Sequence, residues 1–471
     1  MQYISTRGQA PKIGFCDVLL AGLARDGGLY VPETWPKLGE SAVGASAASA
    51  KNSASASYAQ KAASIMSPFV GAEIDQQIFE QLCVDAYSTF RHPEVAPLVE
   101  IGPNEYLLEL FHGPTLAFKD VALQLVGKLF DHVLMQRGQR VMIVGATSGD
   151  TGGAAFDGVA SCRNVDIVML YPNNRVSDVQ RRQMTTLTAP NVHAVAVDGT
   201  FDDCQDLVKA MFNDQKFRDA NQLSAVNSIN WVRVMAQVVY YVTAIEKLGR
   251  SAVFSVPTGN FGNVLAGWIA KQMGAQIEGF VVASNTNDIL TRFFESKQMT
   301  ANEVVPTLSP SMDIQVSSNF ERLLFETNNR DGAETAKQLT DFRATGKLEV
   351  AASVYQKWFE GVFVGRRCND EQTLATMQDV YKQSAMLIDP HTAVGLSAAR
   401  QSAGVDYPKN MPMITLATAH PAKFPDAVRR ATGQTPKLPE HLADLMSRPE
   451  RSVSLPNDLG AVQAFVASCR K

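Results

Sequence analysis

"RVMIVGATSGDTGGAAFDGVAS", residues 140–161, decides the fold. An apolar run of strand length, Val141–Ala146, breaks into a loop of glycines and small hydroxyl residues, and an alanine-rich helical stretch follows. The unit then repeats. "VDIVMLYP" (165–172) leads into a helix through "SDVQRRQMTTL", and "VHAVAVDG" (192–199) into "TFDDCQDLVKAMFND". After the helical "WVRVMAQVVYYVTAIEKLG" (231–249) come strand "SAVFSVPTG", helix "NVLAGWIAKQMG" and strand "IEGFVVASN". A last strand, "MPMITLATA" (411–419), precedes a helix near "PDAVRRATG". These strands are apolar on both faces and separated by helices, which predicts α/β units on parallel sheets covered on both sides.

With 471 residues the chain is long enough for two or three domains. The pattern divides it into an N-terminal domain (1–99), an α/β domain (100–250) and a second α/β domain (251–471) with a helical insertion at about 286–380. "SAVGASAASAKNSASASYAQKAAS" (41–64) is dominated by Ala and Ser and reads as a flexible surface insertion. The chain is 45% hydrophobic and 19% charged with net charge −4, so nothing in it favours nucleic acid or an anionic membrane. No apolar run approaches the roughly 18 residues of a spanning helix. The first residues, "MQYISTRGQAPKIGF", lack the basic-then-apolar layout of a signal peptide. Six scattered cysteines form no CxxC pair, and the seven histidines show no ligand spacing. A cytoplasmic, metal-free protein is expected, acting on a small molecule as a monomer or homodimer, with no nucleic-acid or membrane partner.

Three strand-to-helix junctions would carry a site, because ligands of open α/β sheets bind at the carboxyl ends of strands. In "PTGNFGN" (257–263), Gly259 and Gly262 let the backbone approach a ligand, and the following helix presents unpaired N–H groups to a phosphate. No GxxxxGK[ST] or GxGxxG pattern occurs, which excludes a Walker loop and a dinucleotide fingerprint. In "GATSGDTGG" (145–153), Thr147, Ser148, Asp150 and Thr151 offer donors at a helix start suited to a small carboxylate. In "LATAHPAKF" (416–424), Thr418 ends a strand and His420 and Lys423 follow. Each junction alone fits an ordinary turn or capped helix equally well.

The fourth feature is "LELFHGPTLAFKDVALQLVG" (108–127), where Lys119 sits between turn residues and a helix, enclosed by Phe111, Leu116 and Phe118. A solvated lysine needs no such enclosure; a nucleophilic one does, since an apolar frame disfavours the ammonium. A phosphate cradle, a carboxylate loop and an enclosed amine together match pyridoxal 5'-phosphate held as a Schiff base on Lys119 beside an amino-acid substrate.

"STRG", "DGGLYVPE", "FHGPTLAFKD", "ATSGDTGGAA", "NSINWVRV", "TGNFGN", "DPHTAVG" and "TAHPAKF" run over most of the length, and in combination the chain resembles the threonine synthase family. The resemblance implies the fold type II arrangement of pyridoxal enzymes and conversion of O-phospho-L-homoserine and water to L-threonine and phosphate. It implies that Lys119 carries the cofactor, that Gly259, Asn260, Phe261, Gly262 and Asn263 hold its phosphate, and that Thr418 faces its pyridine nitrogen. It places Thr147, Ser148 and Thr151 on the substrate carboxylate, and Asn227, Ser228, Asn230 and Arg233 on the substrate phosphate. Many relatives on this fold have Asn where this chain has Asp150, so Asp150 is grouped with the substrate loop without a defined role. A dehydratase on the same fold would share Lys119 and the glycine loop but need no arginine for phosphate. A non-catalytic ligand-binding α/β protein would need neither.

Overall fold

The computed structural model describes residues 1–39 and 56–470, and two parallel sheets organise them. The larger sheet has six strands in the order Phe363–Arg367, Ile277–Ser284, Ala252–Pro257, Met413–Ala417, Glu105–Glu109 and Leu98–Gly102. Neighbours run parallel except for the final antiparallel pair. The smaller sheet has five parallel strands in the order Val453–Pro456, Val192–Asp198, Val165–Pro172, Val141–Ala146 and Leu223–Ser224. Every strand expected from an apolar run is present. Helices cover both faces, so strands such as Val165–Pro172 and Ala252–Pro257 are buried along their whole length.

Sheet membership does not follow the expected cuts at residues 100 and 250. Leu98–Gly102 and Glu105–Glu109 join strands from beyond residue 250, and Val453–Pro456 extends the sheet built from Val141–Asp198. Any short segment can cover the unpaired N–H and C=O groups of a sheet edge, however distant in sequence. The expected helical insertion likewise contains Phe363–Arg367, an edge strand of the larger sheet.

Residues 41–55 of the Ala/Ser-rich segment lie outside the described residues. The remainder corrects the expectation of a flexible insertion. Ser57 caps the helix Tyr58–Val70 through a reciprocal box with Gln60. Tyr58, Ala62, Ile65, Met66 and Phe69 form its buried stripe, a helical periodicity that the small residues conceal.

That helix and the N-terminal strand fix the helix Trp231–Leu248 from its first residue. The Trp231 indole donates to the Tyr3 hydroxyl at 3.0 Å, and Tyr3 donates onward to the Phe69 carbonyl at 2.8 Å. All three side chains are fully buried, each contributing roughly 1.5–3 kcal/mol of transfer free energy. Asn230 caps the same helix at the Val232 N–H and reaches the Leu19 carbonyl, both at 3.0 Å. The early turns of this helix are thereby held against the N-terminal segment. Among the described residues no helix is long and apolar enough to cross a membrane.

Candidate active site

Lys119 is the first residue of the helix Lys119–Arg137, at the end of a turn folded back on itself. Asp120 accepts the Thr115 N–H at 2.8 Å and the Thr115 hydroxyl at 2.6 Å. Leu116 takes a left-handed conformation (φ 64°), a strain of about 1–3 kcal/mol for a side chain of this kind. The turn is secured by the "TAHPAKF" segment: His420 N–H donates to the Leu116 carbonyl at 3.0 Å, and Phe118 N–H to the Thr418 carbonyl at 2.9 Å. Thr418 is therefore a neighbour of Lys119.

The Lys119 amine is buried, lies 4.9 Å from the centre of the Phe118 ring, and donates to Asp150 Oδ2 at 3.1 Å. Burial pushes it below the ordinary lysine range. Asp150 pulls the other way, and the positive charges of Lys423 and Arg233 add to the depression.

Asp150 opens the helix Asp150–Val159 after Gly149, whose φ of 139° and contact with Gln180 leave no room for a Cβ. Oδ1 accepts from Gln180 Nε2 at 2.8 Å and pairs with Lys423 Nζ at 3.1 Å. Oδ2 takes Lys119 and the Ser311 hydroxyl, the latter at 3.3 Å. Burial alone would raise this carboxyl, but Lys119, Lys423 and the Gln180 amide together hold it well below the usual carboxylate range. Asp150 is thus engaged by two amines rather than open toward an anionic substrate. In the same loop the Thr147 hydroxyl oxygen receives the Gly149 and Gly152 N–H groups at 2.9 Å each; Ser148 is exposed and Thr151 half-buried.

The loop 257–263 packs against the segment 309–319. A Cβ on Gly259 would lie 3.1 Å from Ile314 and 3.2 Å from the Ser311 carbonyl, and one on Gly262 3.1 Å from the Asn319 amide. Phe261, fully buried, is left-handed (φ 61°) at the start of the helix Gly262–Met273. Asn260 Oδ1 accepts the Ser318 hydroxyl at 3.0 Å. Asn263 Oδ1 accepts the hydroxyls of Tyr240 and Tyr241, while its buried Nδ2 has no partner.

Arg233 lies in the first turn of the helix Trp231–Leu248. It is 3% exposed, donates to the Val226 carbonyl at 3.1 Å, and leaves its buried Nε without a partner. No carboxylate among the described residues forms an ion pair with it. Burial lowers it to about 10, which still leaves a cation at neutral pH. Nearby, Asn227 is exposed, and the Ser228 carbonyl accepts the Asn319 amide at 3.0 Å. Asn230 is occupied as the helix cap.

Contacts from Thr418 through Lys119, Asp150, Ser311, the Gly259–Gly262 loop and Asn319 to Ser228 bring the expected loops into one place. Two buried donors without acceptors, a tight glycine loop and a depressed amine fit a phosphorylated aldehyde cofactor with a second anion beside it. Sequence reasoning missed Gln180, Gln183, Ser311 and the pair Asp389–His391. His391 Nδ1 meets Asp389 at 2.9 Å, and its Nε2 accepts the Ser311 N–H at 3.2 Å. "DPHTAVG" offered a signal for that pair; the segment around Ser311 has no periodicity and offered none.

Three family models match in succession: threonine synthase N terminus over residues 2–87, pyridoxal-phosphate dependent enzyme over 92–346, and threonine synthase C-terminal over 392–466. A threonine synthase of Pseudomonas aeruginosa is 52% identical, covering 99% of this chain and 98% of the relative. The chain belongs to the threonine synthase family of pyridoxal-phosphate-dependent enzymes. The threonine synthase of Saccharomyces cerevisiae is 41% identical over 91% of this chain and 88% of its own length. Among solved structures, a pyridoxal-phosphate-bound threonine synthase from Brucella melitensis superposes with TM-score 0.94 at 49% identity, over 100% of both chains. The threonine synthase from Escherichia coli superposes with TM-score 0.81 at 31% identity, over 99% of this chain and 100% of the other.

Proposed function

We propose that this threonine synthase family member converts O-phospho-L-homoserine and water to L-threonine and phosphate, with the roles set out below. The observation that carries the substrate is Arg233: a buried guanidinium with an unpartnered Nε and no carboxylate partner among the described residues. Leaving such a charge open in the interior is costly unless a ligand anion completes it. A planar fork suits phosphate oxygens. Asn227 and Ser228, at the same helix start, add donors to that anion.

Lys119 would bind the cofactor through its amine, the backbone of Gly259–Asn263 would take the cofactor phosphate, and Thr418 would lie against the pyridine nitrogen. When bound, pyridoxal phosphate supplies a carbonyl for amines and a conjugated ring that absorbs negative charge developed at the substrate α-carbon. The chain's own groups do the rest. Thr147, Ser148 and Thr151 orient the substrate carboxylate at the start of the helix Asp150–Val159. Lys119 Nζ, pushed below the ordinary lysine range by burial, takes the α-proton and returns it. Arg233 holds the phosphate until it leaves from the γ-carbon as a β-proton is lost; the γ-carbon then takes up a proton, and water adds its hydroxyl at the β-carbon as the α-carbon regains its proton. The six cysteines are all buried and free, which suits a reducing, cytoplasmic location.

The test is phosphate release from phosphohomoserine with threonine identified as product, paired with borohydride reduction and peptide mapping. The reading expects stoichiometric phosphate and threonine and a single labelled peptide containing Lys119. Brisk dehydration of serine or threonine instead would favour the dehydratase, and a label on another lysine would remove Lys119 from its role.

A further inference from the structure

Lys423 is an amine that this mechanism does not use, yet its side chain is fully buried. It follows the strand Met413–Ala417 in a short turn whose first N–H is capped by His420 Nδ1 at 3.1 Å. Its Nζ donates to the Thr115 carbonyl and to Gln183 Oε1, both at 2.7 Å, and pairs with Asp150 Oδ1 at 3.1 Å. A buried ammonium with three oxygen neighbours is fully occupied as a donor. Gln183 Nε2 returns to the same Thr115 carbonyl at 3.0 Å, so these partners form one connected group. Asp150 meets Lys423 through one oxygen and Lys119 through the other.

We propose that Lys423 is a positioning residue for the reaction: it clamps Asp150 through Oδ1 so that Oδ2 is presented to the Lys119 amine. This rests on the reading of Lys119 as the cofactor-binding amine. The charge count supports it. Lys119, Lys423 and Asp150 together would carry one excess positive charge in a buried space, with Arg233 adding another. Once Lys119 is neutral, Lys423 and Asp150 remain as a balanced pair and Arg233 is the cation left for substrate phosphate. Of the two amines on Asp150, Lys119 is the one free to give up its proton, because Lys423 is held by Thr115 and Gln183 as well. Lys423 also contributes, after burial, to the depression of Lys119. The charged groups around Lys119 come from four other elements: Asp150, Arg233, Lys423 and, through Asp150, His391, with Asp120 on Lys119's own helix. Ser311, on a fifth, completes Asp150 Oδ2.

The test uses the full chain freed of cofactor and follows the rate of visible absorbance gain on adding pyridoxal phosphate as a function of pH. That rate reads the neutral fraction of Lys119 without requiring turnover. In Lys423→Met, Lys119 becomes the sole amine on Asp150, and the rising limb should move about one unit to higher pH, roughly tenfold slower loading at a fixed pH on that limb. Lys423→Arg should return the limb toward wild type. Asp150→Asn combined with Lys423→Met removes both members of the Lys423–Asp150 pair together, which guards against a Lys423→Met chain that does not fold. If Lys423 acts through Asp150, the double variant should load like Asp150→Asn alone; independent losses that add would overturn the proposal. An unshifted limb in folded Lys423→Met would also overturn it. Failure of the wild type to load on Lys119 would instead remove the underlying function reading, a distinguishable result.

Discussion

Arg233 and Arg322 are both buried guanidiniums beside the same helix start, and they have opposite surroundings. Arg322 donates to the Tyr30 carbonyl at 2.9 Å, the Ile229 carbonyl at 2.7 Å, and Asn319 Oδ1. It lies over the Trp231 ring at 5.8 Å. Each branch of its fork is spent on the protein, joining the N-terminal segment, the "NSINW" turn and the segment after Ser317. Among the described residues the Arg233 side chain makes one hydrogen bond, to Val226, and leaves its Nε open. Identical chemistry thus takes two forms: a guanidinium satisfied by acceptors holds chain segments together, and one left incomplete has a donor to spare, as the proposed phosphate site requires. Satisfaction, not burial, separates them.

The largest consequence falls on Arg322. Arg322→Met leaves three acceptors without this donor, two of them buried, at about 1 kcal/mol each, so stability should fall by about 3 kcal/mol. Denaturant titration checks this. A loss below about 1 kcal/mol would mean that the carbonyl set is resolvated and that the contrast with Arg233 is weaker than drawn.

Arg233→Ala should show the reverse profile. Folding loses one hydrogen bond but is relieved of an uncompensated charge, so stability should change by less than about 1 kcal/mol. Catalytic efficiency on phosphohomoserine should fall roughly ten- to a hundredfold, the worth of a charge-assisted hydrogen bond of ~1.5–3 kcal/mol. Equal losses on phosphorylated and unphosphorylated amino acids would make Arg233 a structural residue like Arg322.

A smaller effect tests the same contrast without substrate. Inorganic phosphate at about ten times its dissociation constant should stabilise the wild type by about 1.4 kcal/mol. The gain should vanish in Arg233→Ala and persist in any folded Arg322 variant. Thermal melts with and without phosphate give the answer, and equal gains in all three proteins would place the anion elsewhere.

The contrast also shows what sequence can tell. Strands buried on both faces, such as Val165–Pro172, declare themselves by continuous apolar runs, and the loops after them carry the glycines and hydroxyls that mark a ligand site. Lys119 was legible as an enclosed amine because turn residues and Phe118 adjoin it in sequence, and the same ring lies beside the amine in space. Glu105–Glu109 was not: its alternation is brief, and its sheet partners lie far along the chain. Lys423 and Ser311 reach Asp150 only through tertiary folding, and Arg322 has no local pattern separating it from a surface arginine. Local periodicity records burial; the pairing of charges across the fold leaves no such trace.

A third buried base resolves its burial in another way. His420 is lowered to about 4, chiefly by burial and then by His112; Asp389 and Glu109 oppose the shift and Lys423 adds to it. Where Arg322 is satisfied and Arg233 keeps an open donor, His420 gives up its proton. Its neutral Nδ1 is then free to accept the Ala422 N–H and cap the turn that carries Lys423. The sign follows from linkage. Below about 6.5 the unfolded chain binds a proton that the folded ring refuses until about 4. The associated stability is therefore complete above pH 6.5 and is lost as pH falls from about 6.5 to about 4. The shift sets an upper bound of about 3 kcal/mol on that loss, which the ring's remaining solvent contact lowers. His420→Asn preserves an acceptor for the cap and removes the titration. Melting temperatures of variant and wild type should differ by a constant amount above pH 6.5, and the difference should move in the variant's favour toward pH 4. A difference that stays constant across the whole range would mean that His420 takes up its proton in the folded state as readily as in the unfolded one.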